Sequence, residues 1–271
     1  MTAWQPGPAW LFCPADRPDR YAKAAERADV VIIDLEDAVP PDRKAQARAD
    51  LTAYGDFDPE RTLVRVNPAG TADHERDLEA LARNQIRRVM LAKTELPEDV
   101  TGLSGYDVVA LFETPRGIVR AAEIMRVPHV VGAMWGAEDL VAAMGGTSSR
   151  DAVSAYRPYA VHAQSVALLA AKAEGKLAID AVHLDIPDLD GLRAETANAA
   201  ASGFDAKALI HPGHVGVVRE VYAPTPERVA WAERVLAGVA VHGAGVFSLD
   251  GQMVDGPVVA QARRVLGWVA N

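Results

Sequence analysis

Glu113 stands directly after Val108-Val109-Ala110-Leu111-Phe112, an apolar run of strand length rich in β-branched residues. It stands directly before Thr114-Pro115, an N-cap followed by a first-turn proline. A carboxylate is thereby held at the C-terminal mouth of a buried strand, where the chemistry of α/β folds gathers. The arrangement recurs. Val30-Val31-Ile32-Ile33 runs into Asp34-Leu35-Glu36-Asp37, Thr62–Val66 carries Arg65 and ends at Asn67, and Arg88–Leu91 leads to Lys93. His129–Met134 delivers Trp135-Gly136-Ala137-Glu138-Asp139. Loops are polar at both ends of a strand, and Asp29, Thr62, Arg87, Arg88, Asp107 and Asp180 sit at the opposite ends, so position alone marks no site. Residue type does distinguish the ends, because acids dominate one mouth in the company of Arg65 and Lys93. Carboxylates crowded around one axis require a cation. With one cysteine and no His pair at ligand spacing, a hard ion such as Mg²⁺ is the candidate, rather than zinc.

Placing these residues around one axis takes eight strands with helices between them. The runs at 10–13, 30–33, 62–66, 88–91, 108–112, 129–134, 181–184 and 206–210 read as the strands. Helices are expected over 16–28, 42–53, 73–83, 154–174 and 188–201, the last stopped by Gly203. This alternation predicts an α/β fold, a (β/α)₈ TIM barrel rather than an open sheet. The absence of GxGxxG at the first strand–helix turn weighs against a dinucleotide fold. The barrel is expected over 1–223, and 224–271 as a C-terminal helical extension. In the extension, Thr225-Pro226-Glu227 opens a helix whose Val229, Ala232, Val235, Leu236 and Val239 form one apolar stripe. A Gly-bounded segment, His242–Gly256, precedes a last helix, Pro257–Val269. An extension this short is expected to act as a lid, packing on a neighbouring subunit.

The chain has 271 residues and a formal net charge of −9, which argues against nucleic acid or an anionic membrane as its main partner. Arg17, Arg20, Lys23 and Arg27 still offer a local basic group to an anionic small molecule. The single Cys13 excludes an internal disulfide framework and suits a reducing compartment. MTAWQPGPAW lacks the pattern of a signal peptide, and no run approaches the ~20 apolar residues of a membrane span. The expectation is a cytoplasmic protein.

The segments LFCPADRPDRYAKA, VVIIDLEDAV, LVRVN, ALFETPRGI, WGAEDL, IHPGHV and FSLDGQMVDGP follow one another across nearly the whole chain. Together they resemble the citrate lyase β-subunit-like branch of the HpcH/HpaI aldolase family. The resemblance implies a Mg²⁺-dependent acyl-CoA lyase. Such an enzyme reversibly cleaves a 3-hydroxy-dicarboxylyl-CoA thioester (citramalyl-, malyl- or β-methylmalyl-CoA) to acetyl- or propionyl-CoA and pyruvate or glyoxylate. By matched motif, Glu113 and Asp139 resemble the metal ligands and Arg65 the arginine that grips the keto-acid oxygens, bidentately if geometry permits. Glu36 and Asp37 match acids near the metal, and Gly136 the loop that receives the substrate carboxylate. Phe12, Lys23 and an Ala208–Leu209 turn match coenzyme A contacts. Asp255 resembles a general acid/base that reaches a neighbouring subunit's site, which implies a homo-oligomer, a trimer or a multiple of three. It can also simply cap the helix that follows. Cys13 reads as a packed residue, Lys93 as a partner of neighbouring acids rather than a Schiff base, and His211 as a turn residue or a substrate ligand. Two other readings stay open: a citrate lyase β subunit acting on a citryl-acyl carrier protein, and a non-catalytic barrel that binds an acyl-CoA or keto acid.

Overall fold

Short apolar runs, each followed by a polar residue and a helix start, become the strands of a closed parallel barrel. The structure, a computed structural model, describes residue 4, residues 6–243 and residues 245–269. The strands are β1 (Ala9–Pro14), β2 (Val30–Asp34), β3 (Thr62–Val66), β4 (Arg88–Leu91), β5 (Asp107–Phe112), β6 (Val130–Trp135), β7 (Leu177–Asp180) and β8 (Ala206–Leu209). They hydrogen-bond in chain order and close with β8 on β1, so the barrel has no free edge. Between them run α1 (Tyr21–Arg27), α2 (Lys44–Ala53), α3 (Ala72–Leu81), α4 (Pro97–Thr101), α5 (Pro115–Met125), α6 (Ala137–Ala143), α7 (Pro158–Ala173) and α8 (Leu189–Ser202). The interior is filled by residues of successive strands, among them Trp10, Ile32, Leu63, Met90, Val109, Leu111, Met134 and Ile179. It is a packed core rather than a pore. The architecture is the TIM barrel that the alternation predicted.

Three local features differ from the sequence reading. The seventh strand lies at Leu177–Asp180, not Ala181–Leu184. Gly175, at φ 66°, ends α7, so the strand starts almost at once. Its register is fixed by Asp180, which accepts from Lys207 Nζ across the β7–β8 pair (2.8 Å) and from Trp135 Nε1 and Gln164 Nε2. The apolar Ala181-Val182 that looked like strand has left the sheet and lines the mouth instead. Second, α7 begins at Pro158 rather than Ser154. The preceding loop is held by tertiary contacts, Arg150 with Glu195 (2.6 Å) and Ser149 with Glu138 (2.6 Å). Third, the Gly-bounded segment contains a hairpin.

That hairpin belongs to a second compact unit, which starts at Arg219 where the first ends at Val218. After α9 (Val215–Tyr222), the unit comprises α10 (Pro226–His242), β9 (Phe247–Leu249), β10 (Gln252–Val254) and α11 (Gly256–Val269). Asp250 and Gly251 form its two-residue turn with φ of 52° and 78°, the twist that a tight hairpin needs. Ala232, Val235, Val254 and Ala262 make a small core of its own. Among the described residues no helix is long and apolar enough to cross a membrane.

Candidate active site

The C-terminal mouth of the barrel is built from strand ends whose neighbours leave them no other direction to face. β5 and β6 run side by side with Phe112 opposite Trp135, after one extra residue in β6 shifts their register near Val108. Glu113 follows β5, and Thr114 then caps α5 by accepting from the Gly117 N–H (3.1 Å). A Cβ on Gly117 would lie 2.2 Å from the Thr94 carbonyl oxygen, so only glycine lets α5 settle against the end of β4. That contact brings the Lys93–Thr94 turn beside Glu113. Asp139 sits in the first turn of α6, three residues after Gly136.

Asp34 organises one wall. Its carboxylate accepts from the Glu36 and Ala38 N–H groups (2.9 and 3.1 Å) and receives the Nε–Nη2 fork of Arg65 (2.7 and 2.6 Å). The fork expected for a bidentate grip on substrate is therefore committed to Asp34. Arg65 keeps Nη1, 3.2 Å from Glu36 Oε2, and its guanidinium lies over the Phe12 ring. Lys44 Nζ, buried behind this wall, donates to the Leu35 and Glu36 carbonyls and to Asn67 Oδ1 (2.7, 2.9 and 2.8 Å). It fixes the loop that carries Glu36 and Asp37. The sequence places Asp34 among the strand-end acids without giving it a role, and does not point to Lys44. The signal for Asp34 was present, since it ends β2 as Arg65 nearly ends β3; for Lys44, midway along a polar stretch, there was none.

The other wall holds Glu113, 2% exposed. Its Oε1 accepts one backbone hydrogen bond, from the Lys93 N–H (3.0 Å). Burial and then the charge of Asp139 push its carboxyl up to about 8, against the opposing pull of Arg65 and Lys93. Lys93 Nζ pairs with Glu36 and lies 3.3 Å from Asp139 Oδ1 and 3.6 Å from Asp37 Oδ2. Burial opposes its charge, but the hydrogen bond to Glu36 and the surrounding acids hold the Lys93 ammonium well above the usual lysine range. Burial likewise raises the Glu36 carboxyl, with Arg65 and Lys93 holding part of that rise back.

Among the described residues, the mouth thus gathers Asp34, Glu36, Asp37, Glu113, Glu138 and Asp139 against Arg65 and Lys93. No group of three or more His, Cys, Asp or Glu among them could hold a metal ion by itself. Mg²⁺ asks for fewer protein ligands, one or two carboxylates, with water and substrate oxygens completing its octahedron. Glu113 and Asp139 are the fitting pair. One is buried with a single hydrogen bond and an unfavourable charge, and the other faces the same cleft.

Gly136 sets the spacing between the two. Its N–H donates to the Phe112 carbonyl (3.1 Å), so it is not itself open to a substrate carboxylate. A Cβ there would lie 2.9 Å from Glu113 Oε2. Gly136→Ala is expected to displace Glu113 and weaken Mg²⁺ binding about 10–100-fold. Its φ of −128° suits alanine, so the melting temperature should fall little; calorimetric titration with Mg²⁺ and a thermal melt check both.

The remaining expected residues spread out. Phe12 lines the cleft, while Lys23 lies exposed on α1. Ala208 and Leu209 are not a turn but the last residues of β8, fully buried, because β8 extends to Leu209 in pairing with Leu11 of β1. Their side chains are enclosed on all sides. His211 accepts from the Gly213 N–H (3.1 Å) and caps a single helical turn. Burial pushes the Cys13 thiol up to about 11, so it stays protonated and packed. Asp255 belongs to the second unit, where its Oδ1 accepts from the Val258 N–H (3.3 Å) as the N-cap of α11.

A model of the HpcH/HpaI aldolase/citrate lyase family matches residues 9–212. A citrate lyase subunit beta-like protein of Mycobacterium tuberculosis is 55% identical over 260 residues, covering 96% of this chain and 94% of that one. The mitochondrial citramalyl-CoA lyase of Rattus norvegicus is 30% identical, covering 96% and 85%. Among solved structures, protein CitE of Mycobacterium tuberculosis, in complex with magnesium, acetoacetate and coenzyme A, superposes with a TM-score of 0.93. It is 54% identical, and the match covers 98% of this chain and 99% of that one.

Proposed function

The chain belongs to the HpcH/HpaI aldolase/citrate lyase family, and from that premise we propose that it is a Mg²⁺-dependent acyl-CoA lyase. Its substrate would be a 3-hydroxy-dicarboxylyl-CoA thioester such as citramalyl-, malyl- or β-methylmalyl-CoA. Its products would be acetyl- or propionyl-CoA and a 2-keto acid, pyruvate or glyoxylate. The observation that carries this reading is that the Glu113 and Asp139 carboxyl groups line one cleft together with Arg65. Glu113 and Asp139 would hold the ion, which when bound supplies a Lewis acid for the keto-acid oxygens. Arg65 would add its Nη1, which now faces Glu36, to the same oxygens, and Asp34 keeps that guanidinium in one orientation. Glu36 and Asp37 flank Lys93 and hold the cationic side of the mouth in place. Phe12 and Lys23 remain the side chains proposed to meet coenzyme A.

In cleavage the 3-hydroxyl loses its proton to water and becomes the keto-acid carbonyl as the C–C bond breaks. The electron pair of that bond leaves as an acyl-CoA enolate, which must take a proton; condensation must remove one from the same carbon. We assign that transfer to Asp255 of a neighbouring subunit, in a trimer or a multiple of three.

The relative 55% identical to this chain favours a second reading, a citrate lyase β subunit that acts on a carrier-bound citryl group. One assay separates the two. The purified protein alone is offered malyl-CoA and each citramalyl-CoA enantiomer, with Mg²⁺ and with EDTA. Release of acetyl-CoA that EDTA abolishes is the expected result. Silence on every thioester, with turnover of a citryl-acyl carrier protein, would replace the first reading with the second.

A further inference from the structure

Lys93 touches both proposed metal ligands through different atoms. Its backbone N–H donates to Glu113 Oε1 (3.0 Å), and its ammonium lies 3.3 Å from Asp139 Oδ1 while pairing with Glu36. The residue holds this double contact in the left-handed region, with φ of 50°. Glycine is the default there, because an L side chain is strained. The strain persists because the surroundings fix it. The Thr94 N–H donates to the Leu111 carbonyl (3.1 Å), and Thr94 Oγ1 donates to the Leu91 carbonyl (2.7 Å). A glycine would meet the backbone requirement alone, so the side chain must serve something else. It is only partly exposed, and its charge sits among Glu36, Asp37 and Asp139.

Resting on the Mg²⁺-lyase reading, we propose that Lys93 is the built-in counter-cation of the metal site, a positioning residue that weakens Mg²⁺ binding while strengthening keto-acid binding. The reasoning is electrostatic. A positive charge beside Asp139 neutralises part of what attracts the metal and repels the ion itself. The same charge attracts the anionic keto acid, whose carboxylate otherwise faces six acids and a single arginine. Lys93 also links Asp139 and Glu36 through one ammonium, so both acids are tied to the same cation before any ligand arrives. In a lyase this favours a metal that exchanges and that is held firmly only together with the keto acid. A general role in folding makes no such split, since loosening the mouth weakens both ligands together.

The test is calorimetric and needs no turnover. Lys93→Met keeps the length of the side chain and removes its charge, and Lys93→Arg keeps the charge. Lys93→Gly removes the side chain and the backbone strain while leaving the N–H for Glu113, so it covers the case in which the methionine variant fails to fold. Mg²⁺ is titrated at pH 9, above the Glu113 carboxyl, and pyruvate is titrated with Mg²⁺ saturating. The expected result is opposite movement in Lys93→Met and Lys93→Gly: Mg²⁺ Kd about tenfold tighter and pyruvate Kd about tenfold weaker, with both near wild type in Lys93→Arg. Unchanged or weaker Mg²⁺ binding in folded Lys93→Met or Lys93→Gly would overturn the proposal. So would Lys93→Arg behaving like Lys93→Met. If the lyase reading itself failed, thioester cleavage would be absent in the wild type while the Mg²⁺ shift remained, so the two failures are distinct.

Discussion

Glu113→Gln is expected to lower kcat/KM for the preferred thioester by about 10³-fold and to remove the protein's response to Mg²⁺. Polarisation by a bound metal supplies several kcal/mol of transition-state stabilisation, and about 1.4 kcal/mol is a factor of ten. The glutamine amide oxygen can accept from the Lys93 N–H in place of the carboxyl oxygen, so the mouth retains its shape and loses the group that ionises to meet the metal. The loss also has a pH signature. Burial raises the Glu113 carboxyl from 4.5 to about 8, so the folded, metal-free protein holds a proton that the unfolded chain has released. A carboxyl shifted in this direction contributes stability that is complete below about 4.5 and lost as pH rises through about 8. The metal-free wild type should therefore melt progressively lower across that window, and Mg²⁺ at pH 8 should restore the loss by mass action. At pH 7, Mg²⁺ binding should release close to one proton, measurable by titration in buffers of different ionisation enthalpy. Glu113→Gln should flatten the pH dependence and abolish the proton release. A variant that still binds Mg²⁺ with wild-type affinity would remove Glu113 from the ligand set.

The barrel was legible because its strands carry a local signal. β2 and β5 are short runs, apolar on both faces and rich in β-branched residues, that stop at an acid, and their length and composition separate them from a buried helix. β7 differs because Leu177–Leu184 offers two adjacent apolar stretches on either side of Asp180, and the choice between them is made by distant partners. Asp180 pairs with Lys207 and accepts from Trp135 and Gln164, and nothing within the segment reveals those contacts. The hairpin was a different kind of miss. Asp250-Gly251 between short alternating runs is a strong hairpin signal in its own right, besides lying in the FSLDGQMVDGP motif. At the site, residue types and strand ends sufficed to gather Glu36, Asp37, Arg65, Glu113 and Asp139 at one mouth. They also gave Lys93 as a partner of neighbouring acids, which it is, with Glu36, Asp37 and Asp139 around its ammonium. What they could not supply was the partner of Arg65, whose fork turns to Asp34 across the β2–β3 pair rather than to the open cleft.

Asp255→Ala should leave Mg²⁺ and pyruvate affinities within about twofold of wild type while lowering kcat by about 10²–10⁴-fold, the range of general acid–base catalysis. The competing account is the cap, since Asp255 Oδ1 accepts from the Val258 N–H at the start of α11. Loss of an N-cap costs about 1 kcal/mol of stability, and alanine alone does not separate a missing acid from a frayed helix. Asparagine does, because it caps as well as aspartate yet carries no exchangeable carboxyl proton. If Asp255 transfers the proton, Asp255→Asn should melt like the wild type and remain as inactive as Asp255→Ala. Recovery of most activity in Asp255→Asn would reduce the residue to a cap. The shared site has its own test. Asp255→Ala and Glu113→Gln subunits, each silent alone, should regain activity when mixed and allowed to exchange, because some mouths would then combine an intact Glu113 with an intact Asp255 from a neighbour. Light scattering that finds only monomers at assay concentration, or mixed oligomers that form and stay silent, would confine Asp255 to its own chain.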